Sequence, residues 1–133
     1  MKITGSCHCG AIAFEAEVDA ERVSICHCSD CQKLTGSAYR VSVACERDDF
    51  ILLRGTPATY IKRGDSGALR VQSFCANCGS PLFVHGVEDP SRLGLRVGCI
   101  DQRKEFVPRR QIWCRSSLPW TMDLRDLPRR ERE

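Results

Sequence analysis

The chain has 133 residues, with 20 Lys and Arg, 17 Asp and Glu, a formal charge of +3 and ten cysteines. That length suits one domain with a modest core. No run approaches the ~18 apolar residues of a membrane span, and the opening MKITGSCHCG lacks a basic-then-apolar leader, so the expected compartment is the cytoplasm, where clustered thiols more often hold metal than each other.

The pattern along the chain is alternation. In AIAFEAEV, Ile12, Phe14, Ala16 and Val18 fall on one face, with Glu15 and Glu17 on the other. Period two of this kind reads as a half-buried strand. SDCQKLTG follows as the best helix candidate, with Ser29 or Asp30 as cap, Cys31 in the first turn and Gly36 as stop. Tyr39, Val41 and Val43 resume the alternation. FILL, from Phe50 to Leu53, and PLFV, from Pro81 to Val84, are short apolar strands on either side of the Leu69/Val71 alternation. Leu93, Leu95, Val97 and Cys99 form the last such run. Four of the six prolines lie at or after Pro90, so the final third is strand and loop. The expected organisation is one domain over residues 1–122 and a polar tail, 123–133, that ends frayed. The fold class is mainly β, with one or two short helices. Many short strands bury little surface each, so a fold of this size needs staples. Structural zinc supplies roughly 10–16 kcal/mol of apparent binding energy to folding.

Three cysteine groups offer such staples. Cys75-Ala76-Asn77-Cys78-Gly79 is a C-x-x-C-G knuckle. Two residues of turn bring both sulfurs to one ion, and glycine accepts the positive φ that closes the turn. Cys7-His8-Cys9 is a C-x-C pair. In extended chain its sulfurs point to one side, and with the knuckle they make a closed Cys₄ site. Cys26-His27-Cys28-Ser29-Asp30-Cys31 is left over. Cys26 and Cys28 share a side, and Cys31 returns from the helix. Four ligands close a structural site, whereas three leave the open position that zinc enzymes use. The competing reading is a closed second site completed by Cys45, Cys99, Cys114, His27 or His85. Each has an ordinary alternative. Cys45, Cys99 and Cys114 are small hydrophobes by default, His27 sits between two ligands and points away as a hydrogen-bonding neighbour, and His85 is a turn residue.

Metal also changes the charge. Ligating cysteines are thiolates, so seven of them with two Zn²⁺ ions bring the net charge from +3 to about zero. Basic and acidic residues are interleaved and form no basic stripe, so neither nucleic acid nor membrane is an expected partner.

GSCHCGAIAF, CHCSDCQKLTGSAY, DDFILLRGTPATY and FCANCGSPLF, in this order, resemble the glutathione-dependent formaldehyde-activating enzyme family, which also includes centromere protein V. RRQIWCRSSLPW is a weaker echo, and the resemblance spans residues 5–120 or so. It implies a tent of small antiparallel sheets, the Mss4-like fold. It implies a structural zinc on Cys7, Cys9, Cys75 and Cys78, and a second zinc on Cys26, Cys28 and Cys31 open to a thiol. It further implies a carbon–sulfur lyase that joins a glutathione-like thiol to a small aldehyde, giving an S-hydroxymethyl adduct. No motif spells a glutathione pocket. Arg40, Lys62, Arg63, Arg70, Arg96, Arg109 and Arg110 are candidates for holding the carboxylates of such a thiol, Arg40 first. The alternatives are a thiol-adduct carrier without chemistry and, further off, a chromatin-associated module.

Overall fold

The computed structural model describes residues 1–133. Ten strands and one α-helix build it: β1 Lys2–Ser6, β2 Ala13–Glu17, β3 Val23–Cys26, α1 Ser29–Thr35, β4 Arg40–Glu46, β5 Phe50–Arg54, β6 Ala58–Arg63, β7 Leu69–Phe74, β8 Pro81–Gly86, β9 Arg92–Arg96 and β10 Arg110–Ile112. The mainly β reading holds. The strands sort into a three-stranded sheet, β1-β2-β5, and a seven-stranded sheet, β10-β3-β4-β9-β8-β7-β6. Every pairing is antiparallel except β10 with β3, which is parallel.

The core lies between the sheets. Ile12, Phe14, Ala16 and Val18 are all buried, as their alternation demands. In the large sheet, register aligns Val23 with Val43, Val43 with Leu95 and Leu95 with Phe83, so these four side chains share the face turned to the core. Phe50 joins the layers, 5.4 Å by ring centroid from Phe14 and 5.0 Å from Phe83. Fully burying aromatics of this size dominates the energetics of a small core.

The same register defines the opposite face. Cys26 lies beside Arg40, and Ser42 beside Arg96. Gln72 aligns with Val84, Val84 with Gly94, and Gly94 with Ala44. Alternation then places Cys26, Arg40, Ser42, Arg96 and Gln72 together, away from the core.

Three expectations change. Leu69 and Val71 are only half-buried, and the buried side chains of β7 are Gln72 and Ser73: Ser73 pairs with Phe83 on the core side, and Gln72 lies on the opposite face, covered there by the arginines. The Leu93-to-Cys99 run is a strand only to Arg96; Val97–Cys99 is a 3₁₀ turn that still buries Val97. FILL is a strand, but Ile51, Leu52 and Leu53 are exposed, since β5 is the edge of the small sheet. Residues 123–133 are exposed throughout. No helix is long and apolar enough to cross a membrane.

Candidate metal centres

Two cysteine groups have sulfurs within 4.8 Å of one another: Cys7, Cys9, Cys75 and Cys78, and Cys26, Cys28 and Cys31. Both divisions follow the spacing in the sequence. The first group sits where two turns meet. Cys7 and Cys9 belong to the turn between β1 and β2, where Cys7 N–H donates to the Ile12 carbonyl and Gly10 N–H to the Cys7 carbonyl, both at 3.1 Å. The C-x-C pair is therefore in a turn rather than extended chain. Cys75 and Cys78 close the turn between β7 and β8, with Gly79 N–H donating to the Cys75 carbonyl at 2.8 Å. Gly79 has φ 77°, the left-handed conformation that its place in the knuckle requires.

The sulfur geometry fits a tetrahedral metal. Zn–S bonds of about 2.3 Å put sulfurs roughly 3.8 Å apart at the corners of a tetrahedron. Cys7 and Cys9 Sγ are 3.6 Å apart, and Cys9 and Cys75 Sγ 3.8 Å. Donors already surround the sulfurs. The Ser80 hydroxyl, with the backbone N–H groups of Cys9 and Ser80, holds Cys78 down to about 5. The Asn77 side chain and the Ala11 backbone lower Cys9. Ile12 N–H lies 3.3 Å from Cys7 Sγ. Hydrogen bonds that favour thiolate are what a metal ligand needs.

The second group rests on β3 and α1. Cys26 ends β3, and Cys28 is the helix cap, its Sγ accepting from Cys31 N–H at 3.3 Å. The cap is thus Cys28, not Ser29 or Asp30: a sulfur takes the oxygen's usual place because the same residue must face the cluster. Gly36, at φ 63°, ends the helix as expected. Cys31 donates toward Cys26, which holds Cys26 below the ordinary thiol range and pushes Cys31 above it.

Of the five residues able to close this second site, none joins it. His27 is 0% exposed, and its Nε2 lies 2.7 Å from Gln111 Oε1, on the other side of β3. Cys45 and Cys99 donate to backbone carbonyls, of Glu46 at 3.2 Å and Pro81 at 3.1 Å. Burial raises both thiols, Cys45 to about 11. His85 lies within β8, not in a turn, and Cys114 is exposed rather than a core residue.

The C-terminal segment braces the cluster. His27 N–H donates to the Ile112 carbonyl at 3.1 Å, and Gln32 Nε2 donates to the carbonyls of His27 and Ser116 at 2.7 and 3.0 Å. Trp113, between those strands of contact, has φ 56°, a conformation uncommon for a bulky residue. Lys62 reaches Asp30 at 2.9 Å and ties β6 to α1.

Among the candidate cations, two stand beside the sulfurs. Arg40 and Arg96 are 4% and 8% exposed. Arg40 Nη1 and Arg96 Nη2 both donate to Gln72 Oε1, at 3.2 and 2.9 Å, and Arg96 Nη1 donates to Ser42 Oγ at 2.7 Å. The Nε of each has no partner. Burial lowers the pKa of both; for Arg96, burial and the charge of Arg40 bring it to about 9. Arg70 also bears on Arg96. Arg109 and Arg110 instead line a cavity of 420 Å³ with Ile25, His27, Tyr39 and Thr121, on the side of β3 away from the sulfurs. Arg63 bonds its own turn at Gly67. Gln72 and Gln32 escape sequence reasoning, because an isolated glutamine in a strand or helix gives no sign of burial.

A mainly β fold with two separate thiol clusters, each of which could hold a metal ion, defines a small cysteine-rich protein. Residues 2–116 match the family model described as glutathione-dependent formaldehyde-activating enzyme, and the chain belongs to that family. A Halomonas elongata protein named "Putative glutathione-dependent formaldehyde-activating enzyme" is 28% identical over 115 residues, 83% of this chain and 73% of that protein. An uncharacterized lyase of Schizosaccharomyces pombe is 27% identical over 79 residues, 59% of this chain and 54% of that one. A crystal structure of a Rhodobacter sphaeroides protein superposes with a TM-score of 0.62 at 20% identity, covering 81% of this chain and 98% of its own; it supports the fold alone.

Proposed function

We propose that the chain is a carbon–sulfur lyase of the formaldehyde-activating type, joining a glutathione-like thiol to a small aldehyde. Family membership supports the reaction class. The observation that carries the reading is the difference between the clusters: four sulfurs in one, three in the other, with no further protein ligand beside the three. Cys7, Cys9, Cys75 and Cys78 would hold a structural zinc. Cys26, Cys28 and Cys31 would hold a second zinc and leave its fourth position to the substrate sulfur. When bound there, zinc would lower the pKa of an incoming thiol and present it as a thiolate at neutral pH.

The chain's own residues then set the conditions. The helix cap and the end of β3 fix three sulfurs within six residues, so the site needs little rearrangement to bind. His27, buried on the far side, keeps β3 in register with the C-terminal segment. In the reaction the substrate sulfur forms a bond to the carbonyl carbon. The C=O π pair moves to oxygen, and the proton lost by the thiol ends on that oxygen, giving an S-hydroxymethyl hemithioacetal. An all-sulfur site is electron-rich, which favours thiol exchange over water activation.

The test is the rate of adduct formation from glutathione and formaldehyde. The zinc-loaded protein accelerates it above the spontaneous reaction, and Cys31→Ser abolishes the acceleration while keeping a folded chain. A wild-type protein that binds glutathione without acceleration is a carrier, and the lyase reading falls.

A further inference from the structure

Arg40 and Arg96 are two buried cations with no carboxylate. Neither takes part in an ion pair, and together they rely on Gln72 Oε1 and Ser42 Oγ for acceptors. Both Nε groups are buried without a partner. A buried charge left unpaired is among the costliest features a fold can carry, so one with no acid nearby needs another countercharge. The thiol cluster on the same sheet face is a source of such charge. Arg40 adjoins Cys26 across the β3–β4 ladder, and Arg96 lies on the same sheet face two residues on in the register.

The geometry points to Arg40 and Arg96 as the built-in countercharge of the Cys26–Cys28–Cys31 centre, setting it to hold an anionic fourth ligand. This rests on the proposal that the three sulfurs form a metal centre with an open position. A divalent ion with three thiolates carries one negative charge, and a fourth thiolate makes two. The two guanidinium groups match that total, whereas a neutral fourth ligand leaves one cation unbalanced. The pair therefore selects for thiolate over water or imidazole through charge, without touching the rest of the substrate. Arg96 is a positioning residue in this scheme, acting through the field at the sulfurs.

Cobalt(II) in place of zinc reports ligand exchange through its thiolate absorption bands. The cobalt-loaded protein is titrated with 2-mercaptoethanol, 3-mercaptopropionate and imidazole. Arg96→Met is expected to weaken both thiols by about tenfold and to leave imidazole within about twofold. Arg96→Lys, which keeps the charge, restores most of the thiol affinity. Arg40→Met gives the same pattern and serves if Arg96→Met fails to fold. Equal weakening of thiols and imidazole overturns the proposal in favour of a packing role. Weakening confined to 3-mercaptopropionate overturns it in favour of direct carboxylate contact. Unchanged affinities overturn it outright. A wild-type spectrum that responds to no thiol removes the open centre itself, and the countercharge with it.

Discussion

Replacing Cys9 by serine isolates the work of the four-sulfur group. Cys9 is exposed, so its side chain adds almost nothing to packing. A surface substitution of this kind ordinarily changes stability by no more than about 0.5 kcal/mol. As a metal ligand, however, Cys9 clips the β1–β2 turn to the β7–β8 turn across 66 residues of chain. A cross-link closing a loop of that length restricts the unfolded chain by about 4 kcal/mol on the chain-entropy model. With three sulfurs left, part of the tether survives, so the expected loss lies between about 2 and 4 kcal/mol. Urea unfolding of the zinc-loaded proteins, followed by circular dichroism, measures it. Treating wild type with a chelator should lower its stability by at least as much as the substitution does, because it removes the whole tether. A loss below about 0.5 kcal/mol, with chelator also without effect, refutes the staple.

The remaining predictions concern packing and charge. Gly5→Ala should lower stability by about 1–3 kcal/mol in the same assay, because a Cβ there meets the Phe14 ring, with Cε1 at 2.8 Å, and the Cys99 carbonyl oxygen at 2.6 Å. Gln72→Leu removes the acceptor shared by two buried guanidinium groups; a loss of about 1–3 kcal/mol per stranded donor group follows, and an unchanged denaturation midpoint would contradict it. Cys45 has a folded-state pKa raised from 9.0 to about 11. Its neutral form stabilises the fold fully below pH 9, and that contribution is lost as pH rises from 9 to 11. Cys45→Val should therefore unfold with a shallower loss of stability over that window than wild type, and parallel curves would show that the thiol does not ionise on unfolding.

Local pattern made much of the architecture legible. Ile12 to Val18 buried as alternation requires, and the helix at residue 29 formed where its stop signal allowed. The cysteine division was legible because C-x-x-C-G and C-x-C-x-x-C impose their own short-range geometry. What stayed hidden depends on partners distant in sequence. The burial of Gln72 comes from arginines 32 and 24 residues away. The parallel pairing of β10 with β3 joins segments far apart in the chain and leaves no periodic trace. Ile51 to Leu53 look like core by composition, and only their place at a sheet edge explains their exposure. Cys28 as a cap was obscured because serine and aspartate followed it directly.

The most direct measurement is the zinc content per folded chain in wild type and in Cys28→Ser. Serine keeps the capability to cap α1, so the substitution removes a ligand while leaving the helix its N-terminal acceptor. The account predicts two zinc ions in wild type and one in the variant, with the circular dichroism spectrum retained. One ion in both proteins, or an unfolded variant, would contradict the division into a closed structural site and an open one.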